Sequence, residues 1–260
     1  MHNVQLKQDE SVDTSNIHKV QLLIHGQSVD SSNQATFERI SPIDGQVASI
    51  AAAATLADVD LAIASAAKAF PVWSKLSPTE RRLRLLKAAD LMDARTDQFI
   101  QIGMRETGST ATWYGFNFHL AAKMLREAAA MTTQMDGSLI PSDVPGNMAM
   151  GIRVPCGVVV GIAPWNAPVI LPTRALAMPL ACGNTVILKA SEACPATQRL
   201  IGQVLHEAGL GDGVVNVITH AAEDAPQIVE RLISHPAVKR INFTGSTKVG
   251  KIIAETAAKS

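Results

Sequence analysis

The sequence predicts an α/β fold, a doubly wound parallel sheet with a β-hairpin that protrudes from it. From residue 157 onward, four short runs rich in β-branched residues alternate with four helix-like segments, which is the pattern of a doubly wound sheet. The segment between the first two runs is too long for a hairpin turn, so the strands that it joins must be parallel. Residues 137–155 alternate loosely around Pro145-Gly146, and they predict the hairpin.

The N-terminal half begins with a polar stretch, residues 1–19, for which we expect a disordered tail. Thr55 and Asp58 then form a capping-box pattern, and Ser77 followed by Pro78 is a stronger helix start. Gly108 is expected to close a later helix. The predicted strands cover 20–29, 37–40 and 46–51, and the predicted helices cover 56–73, 78–94, 96–107 and 110–134.

The helix over 110–134 carries apolar residues at spacings of three to four, namely Trp113, Phe116, Leu120 and Met124. This spacing places them on one side of a helix, and we expect that side to face a core.

The C-terminal half repeats strand and helix signals in regular order. Pro172 fits the first turn of its helix, whereas Pro179 is expected to kink or loosen the last turn. The final helix pattern has neither a cap nor a closing turn, so we expect the chain to be cut short. The predicted strands cover 157–163, 185–190, 214–218 and 239–244, and the predicted helices cover 169–182, 196–208, 225–235 and 246–259.

The composition argues against several classes of function. The 23 basic and 23 acidic residues give a formal net charge of zero, which argues against a nucleic-acid binder with a basic face. No apolar run is long enough to cross a bilayer, and the first residues lack the apolar core of a signal peptide. Three cysteines without a CxxC pair suit a reducing cytoplasm. We expect no metal site.

Polar residues follow the first two strands of the parallel sheet, where ligands bind in open α/β folds. Asn166 comes after Pro164-Trp165, and its amide could stabilise an oxyanion or cap the next helix. Lys189 and Glu192 end the second strand. A carboxylate there can accept both hydroxyls of a ribose and repel a 2′-phosphate, and a solvated loop pair is the alternative.

A third segment, residues 245–251, follows the last strand and opens the final helix. Free N–H groups at a helix start suit a phosphate. The sequence of this segment nearly matches the P-loop motif GxxxxGK[ST]. Ile252, however, occupies the position of the hydroxyl residue that binds Mg²⁺. A P-loop-like nucleotide-binding protein is therefore an alternative function. The structural alternative is that Gly245 and Gly250 only permit close packing.

These segments together resemble the aldehyde dehydrogenase superfamily. The matching runs are residues 162–166, 183–192 and 243–246, with a further match at 208–216. The likeness covers the N-terminal half of such an enzyme and is greatest for salicylaldehyde and related aromatic-aldehyde dehydrogenases. It implies a Rossmann-like, NAD-binding domain of residues 20–136 and 156–260, an oligomerisation hairpin of residues 137–155, and a catalytic domain that this chain lacks.

The resemblance also implies the chemistry. The family oxidises aldehydes to carboxylic acids with NAD(P)⁺. A cysteine thiolate attacks the aldehyde, hydride passes from the thiohemiacetal to nicotinamide, and water hydrolyses the thioester. Asn166 matches the oxyanion-stabilising amide. The family's base and nucleophile come later than Ser260, so we expect this chain by itself to be inactive. A catalytically inactive dinucleotide-binding fragment is the alternative.

Specific residues carry the remaining implied roles. Glu192 favours NAD over NADP as the cofactor. The residues matched to the cofactor site are Ile162, Ala163, Pro164, Trp165, Lys189, Ser191, Glu192, Pro226, Gly245, Ser246 and Val249. The candidate substrate residues are Trp113, Phe116, Asn117, Ala167, Leu171 and Arg174.

In this interpretation Trp113 and Phe116 could stack on an aryl ring, and Arg174 could bind a ring substituent. The alternative is that Trp113 belongs to the helix core and Arg174 is a surface charge. We expect Cys156 and Cys182 to be buried and Cys194 to be partly exposed. The expected partners are a small aldehyde and further copies of the full-length enzyme, as a homodimer or tetramer, and the expected location is the cytoplasm.

Overall fold

The computed structural model describes residues 17–260. Its helices are α1 (Leu56–Trp73), α2 (Pro78–Ala94), α3 (Thr96–Thr107), α4 (Ala111–Ala130), α5 (Ile170–Ala181), α6 (Pro195–Glu207), α7 (Ala225–Ser234) and α8 (Thr247–Ala258). Its strands are β1 (His18–Val20), β2 (Leu22–Ile24), β3 (Gln27–Val29), β4 (Thr36–Ile40), β5 (Val47–Ala52), β6 (Ser138–Ile140), β7 (Ala149–Gly151), β8 (Val158–Ile162), β9 (Thr185–Lys189), β10 (Val215–Ile218) and β11 (Val238–Phe243).

The central sheet has six strands in the order β11-β8-β9-β10-β2-β3. The first four strands are parallel, and β2 and β3 extend the sheet as an antiparallel hairpin. Strands β8, β9 and β10 are buried along their whole length, as expected for parallel strands that are covered on both faces.

Helices pack on both faces of this sheet. Val158 and Val160 of β8 belong to the core that also contains side chains of α1, α7 and α8. Val159, between them, belongs to the opposite core, which is built with α2, α4, α5 and α6. Successive residues of a strand point to opposite faces, so one run of valines stabilises both layers. The predicted doubly wound parallel sheet is confirmed.

The helix starts also agree with the sequence. Thr55 and Ser77 both form complete capping boxes, with Asp58 and Glu80 respectively. Gly108 ends α3 in the left-handed conformation, at φ 72°. Pro179 differs from expectation. It lies inside α5, and the N–H of Cys182 still donates to Met178 O at 3.0 Å, so the last turn is not loosened, and the expected kink stays a prediction.

The prediction for α4 is wrong about which side is buried. Trp113 and Phe116 are 40% and 53% exposed, whereas Tyr114, Phe118 and Leu125 are buried. With buried Ala121 included, both sets recur every three or four residues, so the spacing did not distinguish them. The small alanines of this helix let α2 and α5 pack beside Phe118 and Leu125.

At the N-terminus, β1 pairs in parallel with β5, and β5 pairs with β4 in a three-stranded sheet. The expected tail extended to residue 19, but His18 and Lys19 belong to β1. A strand of three residues, such as β1, is too short to show a clear sequence pattern. Pairing with β5 holds it in place. Residues 1–16 of the expected tail lie outside the described residues.

The expected hairpin is present, since β6 and β7 form an antiparallel pair. Many of its apolar side chains are exposed, among them Leu139 and Met148 at 77% each and Ile152 at 74%. Its assignment as an oligomerisation element stays a prediction. Within residues 17–260, no helix combines the length and apolar character needed to cross a membrane.

Candidate functional site

A cavity of about 510 Å³ lies where β8, β9 and β11 end, and α7 and α8 form its opposite side. This is the edge at which open parallel sheets bind ligands. All eleven residues that the sequence suggested for a cofactor line this one cavity, namely Ile162, Ala163, Pro164, Trp165, Lys189, Ser191, Glu192, Pro226, Gly245, Ser246 and Val249. The sheet therefore brings together residues that are up to 87 positions apart, from 162 to 249.

Lys189 provides a buried positive charge at one end of this cavity. It is 7% exposed, and its side chain has no hydrogen-bond partner among the described residues. Burial lowers the pKa of its ammonium group, and the charge of nearby Glu192 opposes that shift. Because charged groups are rarely buried without a partner, Lys189 is suited to donate hydrogen bonds to a ligand.

His220 lies behind Lys189, directly after β10. It is fully buried, and its Nδ1 is 2.7 Å from Ala221 O. Burial first, and then the charge of Lys189, lower its pKa to about 4. The imidazole is therefore neutral at pH 7, so it adds no second positive charge to this end of the cavity.

The start of α8 lies against the same cavity. Ser246 is the N-cap, and its hydroxyl accepts the N–H of Val249 at 3.3 Å. Residues 247–251 are helical, which contradicts the P-loop alternative, since that motif needs an open loop before its lysine. A Cβ on Gly245 would lie 2.5 Å from the ring of Phe243, so this glycine permits a close approach.

The Trp165-Asn166 loop borders the cavity, which Trp165 lines and Asn166 does not. Trp165 is 51% exposed. Asn166 is also exposed, and its side-chain amide makes no hydrogen bond within the described part of the chain. Helix α5 begins after Val169 without a side-chain cap, so the capping alternative for Asn166 is wrong. The free amide can serve as a hydrogen-bond donor to an oxyanion.

The candidate substrate residues lie beside this loop. The rings of Trp113 and Phe116 stack with centroids 5.5 Å apart, and Trp113 Nε1 donates to Asn166 O at 3.2 Å. Arg174 is exposed and donates to Thr244 Oγ1 at 3.1 Å. Ala167 and Leu171 are half-buried. The alternative in which Trp113 belongs to the helix core is wrong.

Asn117 differs from the other candidates, because its side chain is fully buried. Its Nδ2 donates to Trp113 O at 3.0 Å, and its Oδ1 has no hydrogen-bond partner within residues 17–260. The structure therefore does not place Asn117 on the surface that Trp113 and Phe116 share.

No cysteine of the described residues lies in the cavity. Cys156 and Cys182 precede β8 and β9, at the opposite edge of the sheet. Cys156 is exposed and Cys194 is buried, the reverse of what the sequence suggested. Burial raises the pKa of the Cys194 thiol well above its usual range, which disfavours the reactive thiolate.

Several cavity residues were missed by sequence reasoning. Val229 and Ile252 contribute apolar surface from α7 and α8. Helical periodicity could have indicated Val229, which packs against the core, but not Ile252, which is 54% exposed. Gln198, in α6, was also missed. Its side chain contacts both loops of the site, and no local sequence signal marks it.

Comparisons with known proteins agree with this architecture. The aldehyde dehydrogenase family model matches residues 29–260. A vanillin dehydrogenase from Pseudomonas fluorescens is 65% identical over 240 residues, which are 92% of this chain and 50% of that protein. A salicylaldehyde dehydrogenase from Pseudomonas putida G7, solved in complex with salicylaldehyde, has a TM-score of 0.91 and 45% identity over 93% of this chain and 50% of that one.

A third match, PnpE in complex with nicotinamide adenine dinucleotide, has a TM-score of 0.87 and 37% identity, and covers 92% of this chain and 48% of that one. The chain thus spans about half the length of the curated relatives it matches. The sheet, cavity and loops are arranged as described above, and the family model matches residues 29–260. The chain therefore belongs to the aldehyde dehydrogenase family.

Proposed function

We propose that the cavity binds NAD and that this chain supplies the cofactor site for the oxidation of an aromatic aldehyde to its carboxylic acid. The observation that carries the proposal is Lys189, a buried ammonium group that lines the cavity and has no hydrogen-bond partner in the described residues. Ribose hydroxyls would accept its hydrogen bonds, and such bonds from charged donors contribute about 1.5–3 kcal/mol each.

Glu192 sets the choice between the two nicotinamide cofactors. Its carboxylate lines the cavity near Lys189 and can accept both hydroxyls of an adenosine ribose. A 2′-phosphate at that position would meet this negative charge, so NAD is favoured over NADP. The free N–H groups at the start of α8, after Gly245 and Ser246, are suited to the pyrophosphate.

The aldehyde is proposed to bind at the Trp165-Asn166 end of the site. The stacked pair of Trp113 and Phe116 offers an exposed aromatic surface next to Asn166, and aryl rings stack favourably on such surfaces. Bound nicotinamide would supply the hydride acceptor. The free amide of Asn166 would stabilise negative charge on the aldehyde oxygen, and the half-buried side chains of Ala167 and Leu171 would exclude water from the ring.

Isothermal titration of the purified 260-residue chain with NAD⁺ and NADP⁺ tests the cofactor assignment. We expect NAD⁺ to bind more tightly than NADP⁺. Equal affinity for both cofactors, or no binding of either, would contradict the assignment. A parallel assay with vanillin or salicylaldehyde and NAD⁺ separates cofactor binding from turnover. Binding without NADH production would support the alternative of a dinucleotide-binding fragment, which fits the absence of a cavity thiol in the described residues.

The hairpin formed by β6 and β7 is proposed to mediate a homodimer or tetramer of the full-length enzyme. Its exposed apolar side chains, with Leu139 and Met148 the most accessible, would be covered by a second copy. This assignment predicts that Leu139→Ser forms a smaller species than wild type. Sedimentation of the two proteins measures their sizes and tests it. The free cysteines suit a reducing compartment, and we propose the cytoplasm as the location.

A further inference from the structure

Gln198 connects the two loops that border the proposed cofactor site. Its side chain is fully buried on the first turn of α6. The Oε1 atom accepts the N–H of Ser191 at 2.9 Å, and the Nε2 atom donates to the carbonyl of Pro164 at 3.1 Å. Ser191 belongs to the loop after β9 and Pro164 to the loop after β8, so one amide group bridges both ends of the cavity.

The two loops present complementary groups to this amide. Ser191 offers a donor and Pro164 offers an acceptor, and a glutamine amide has one acceptor atom and one donor group. These contacts fix the orientation of the Gln198 amide. A carboxylate could accept from Ser191 but could not donate to Pro164, and an apolar side chain could do neither.

The helix that carries Gln198 is itself held at its start. Glu106, from α3, is fully buried, and its carboxylate accepts the N–H groups of Ala196 and Thr197 at 2.8 and 2.9 Å. Gly202 faces β10, where a Cβ would lie 2.3 Å from Val217 Cγ2. These contacts fix the position of α6 against the sheet, and therefore the point from which Gln198 reaches the loops.

We propose that Gln198 is a positioning residue, which sets the separation between the loop of Lys189 and Glu192 and the loop of Trp165 and Asn166. This inference rests on the proposed function, because a dinucleotide would contact both loops at once. AMP would occupy only the Lys189 end. Loss of the Gln198 bridge should therefore weaken the binding of NAD⁺ more than the binding of AMP.

The test compares Gln198→Glu and Gln198→Met with wild type, by titration of the 260-residue chain with NAD⁺ and with AMP. Gln198→Glu keeps the bond from Ser191 and loses the bond to Pro164. We expect its Kd for NAD⁺ to rise about tenfold and its Kd for AMP to change by less than about twofold, since NAD⁺ would then have to hold the two loops in place itself, at a cost of about one hydrogen bond. Gln198→Met, which keeps the volume, should also speed hydrogen exchange of the Ser191 amide.

Gln203→Met is the matched control, because Gln203 lies on the exposed side of the same helix and, among the described residues, its side chain bonds only to Glu207. It should leave both Kd values and the Ser191 amide unchanged. Suppose that wild type binds both ligands and that each Gln198 variant has the same ratio of the NAD⁺ Kd to the AMP Kd as wild type. This inference is then overturned, and the proposed function stands. If wild type binds neither ligand, the proposed function fails and the inference fails with it.

Discussion

The two ends of the cavity are built differently. At the Lys189 end, Lys189 and Ser191 are 7% and 4% exposed, and they follow a strand in the middle of the sheet. At the Trp165-Asn166 loop, Trp165 lines the cavity and is 51% exposed, and Phe116, which lies outside the cavity lining, is 53% exposed. The first end is part of the core, whereas the second is formed by side chains on the surface. Substitutions near the first end should therefore change stability or cofactor affinity, and substitution of an exposed aromatic side chain outside the cavity lining, such as Phe116, should change aldehyde binding without loss of stability.

The largest expected effect is on stability, at the support of the buried end. Glu106→Ala would remove four hydrogen bonds, which come from Ser49, Ala196 and Thr197. The buried donors left without a partner should lower the free energy of unfolding by about 3 kcal/mol. Urea denaturation measures this change. Glu127→Ala, at an exposed position of α4, is the control and should change it by less than about 0.5 kcal/mol.

The second prediction separates binding from stability at the same end. Lys189→Met should weaken NAD⁺ binding about 30-fold, because a hydrogen bond from a charged donor contributes about 2 kcal/mol. The variant should be at least as stable as wild type, since it loses a buried ammonium group that has no hydrogen-bond partner among residues 17–260. Titration and urea denaturation measure the two quantities, and Lys248→Met, which is exposed, is the control. A large loss of stability would mean that Lys189 is a structural residue.

The third prediction concerns cofactor choice. Glu192→Gln removes the charge that would repel a 2′-phosphate, so the ratio of the NADP⁺ Kd to the NAD⁺ Kd should fall about tenfold. Titration with both cofactors gives this ratio. Glu230→Gln, on the α7 side of the cavity, is the control for a general change of charge. An unchanged ratio in Glu192→Gln would show that this carboxylate does not reach the ribose.

The smallest expected effect lies at the exposed end. Phe116→Ala removes half of the stacked aromatic pair and should weaken binding of salicylaldehyde about threefold to fivefold, as expected for one aromatic contact. The unfolding midpoint should not change, because the ring is exposed. Equilibrium titration of the aldehyde measures the effect. Leu83→Ala, at an exposed position of α2, should leave the affinity unchanged. Equal weakening in the two variants would argue against this surface.

Much of the fold was predictable because its signals are local. The caps at Thr55 and Ser77 and the β-branched runs of β8 and β9 are each contained in a few consecutive residues. Lys189, Glu192 and the start of α8 were predicted from their positions after strands, the other cofactor residues were implied by the family resemblance, and all eleven line one cavity. The buried side of α4 was not predictable, because Tyr114 and Trp113 both fit the helical spacing and only packing against neighbouring helices chose between them.

By itself, the sequence determined the order of strands and helices, the parallel sheet, and the edge at which a ligand would bind. Tertiary structure alone decided which groups are free to meet that ligand. Within the described part of the chain, Lys189 has no hydrogen-bond partner and Asn166 caps no helix because of where β9 and α5 lie. Gln198 and Glu106 act across elements far apart in the chain. Such contacts depend on packing between elements, and they cannot be predicted from neighbouring residues in the sequence.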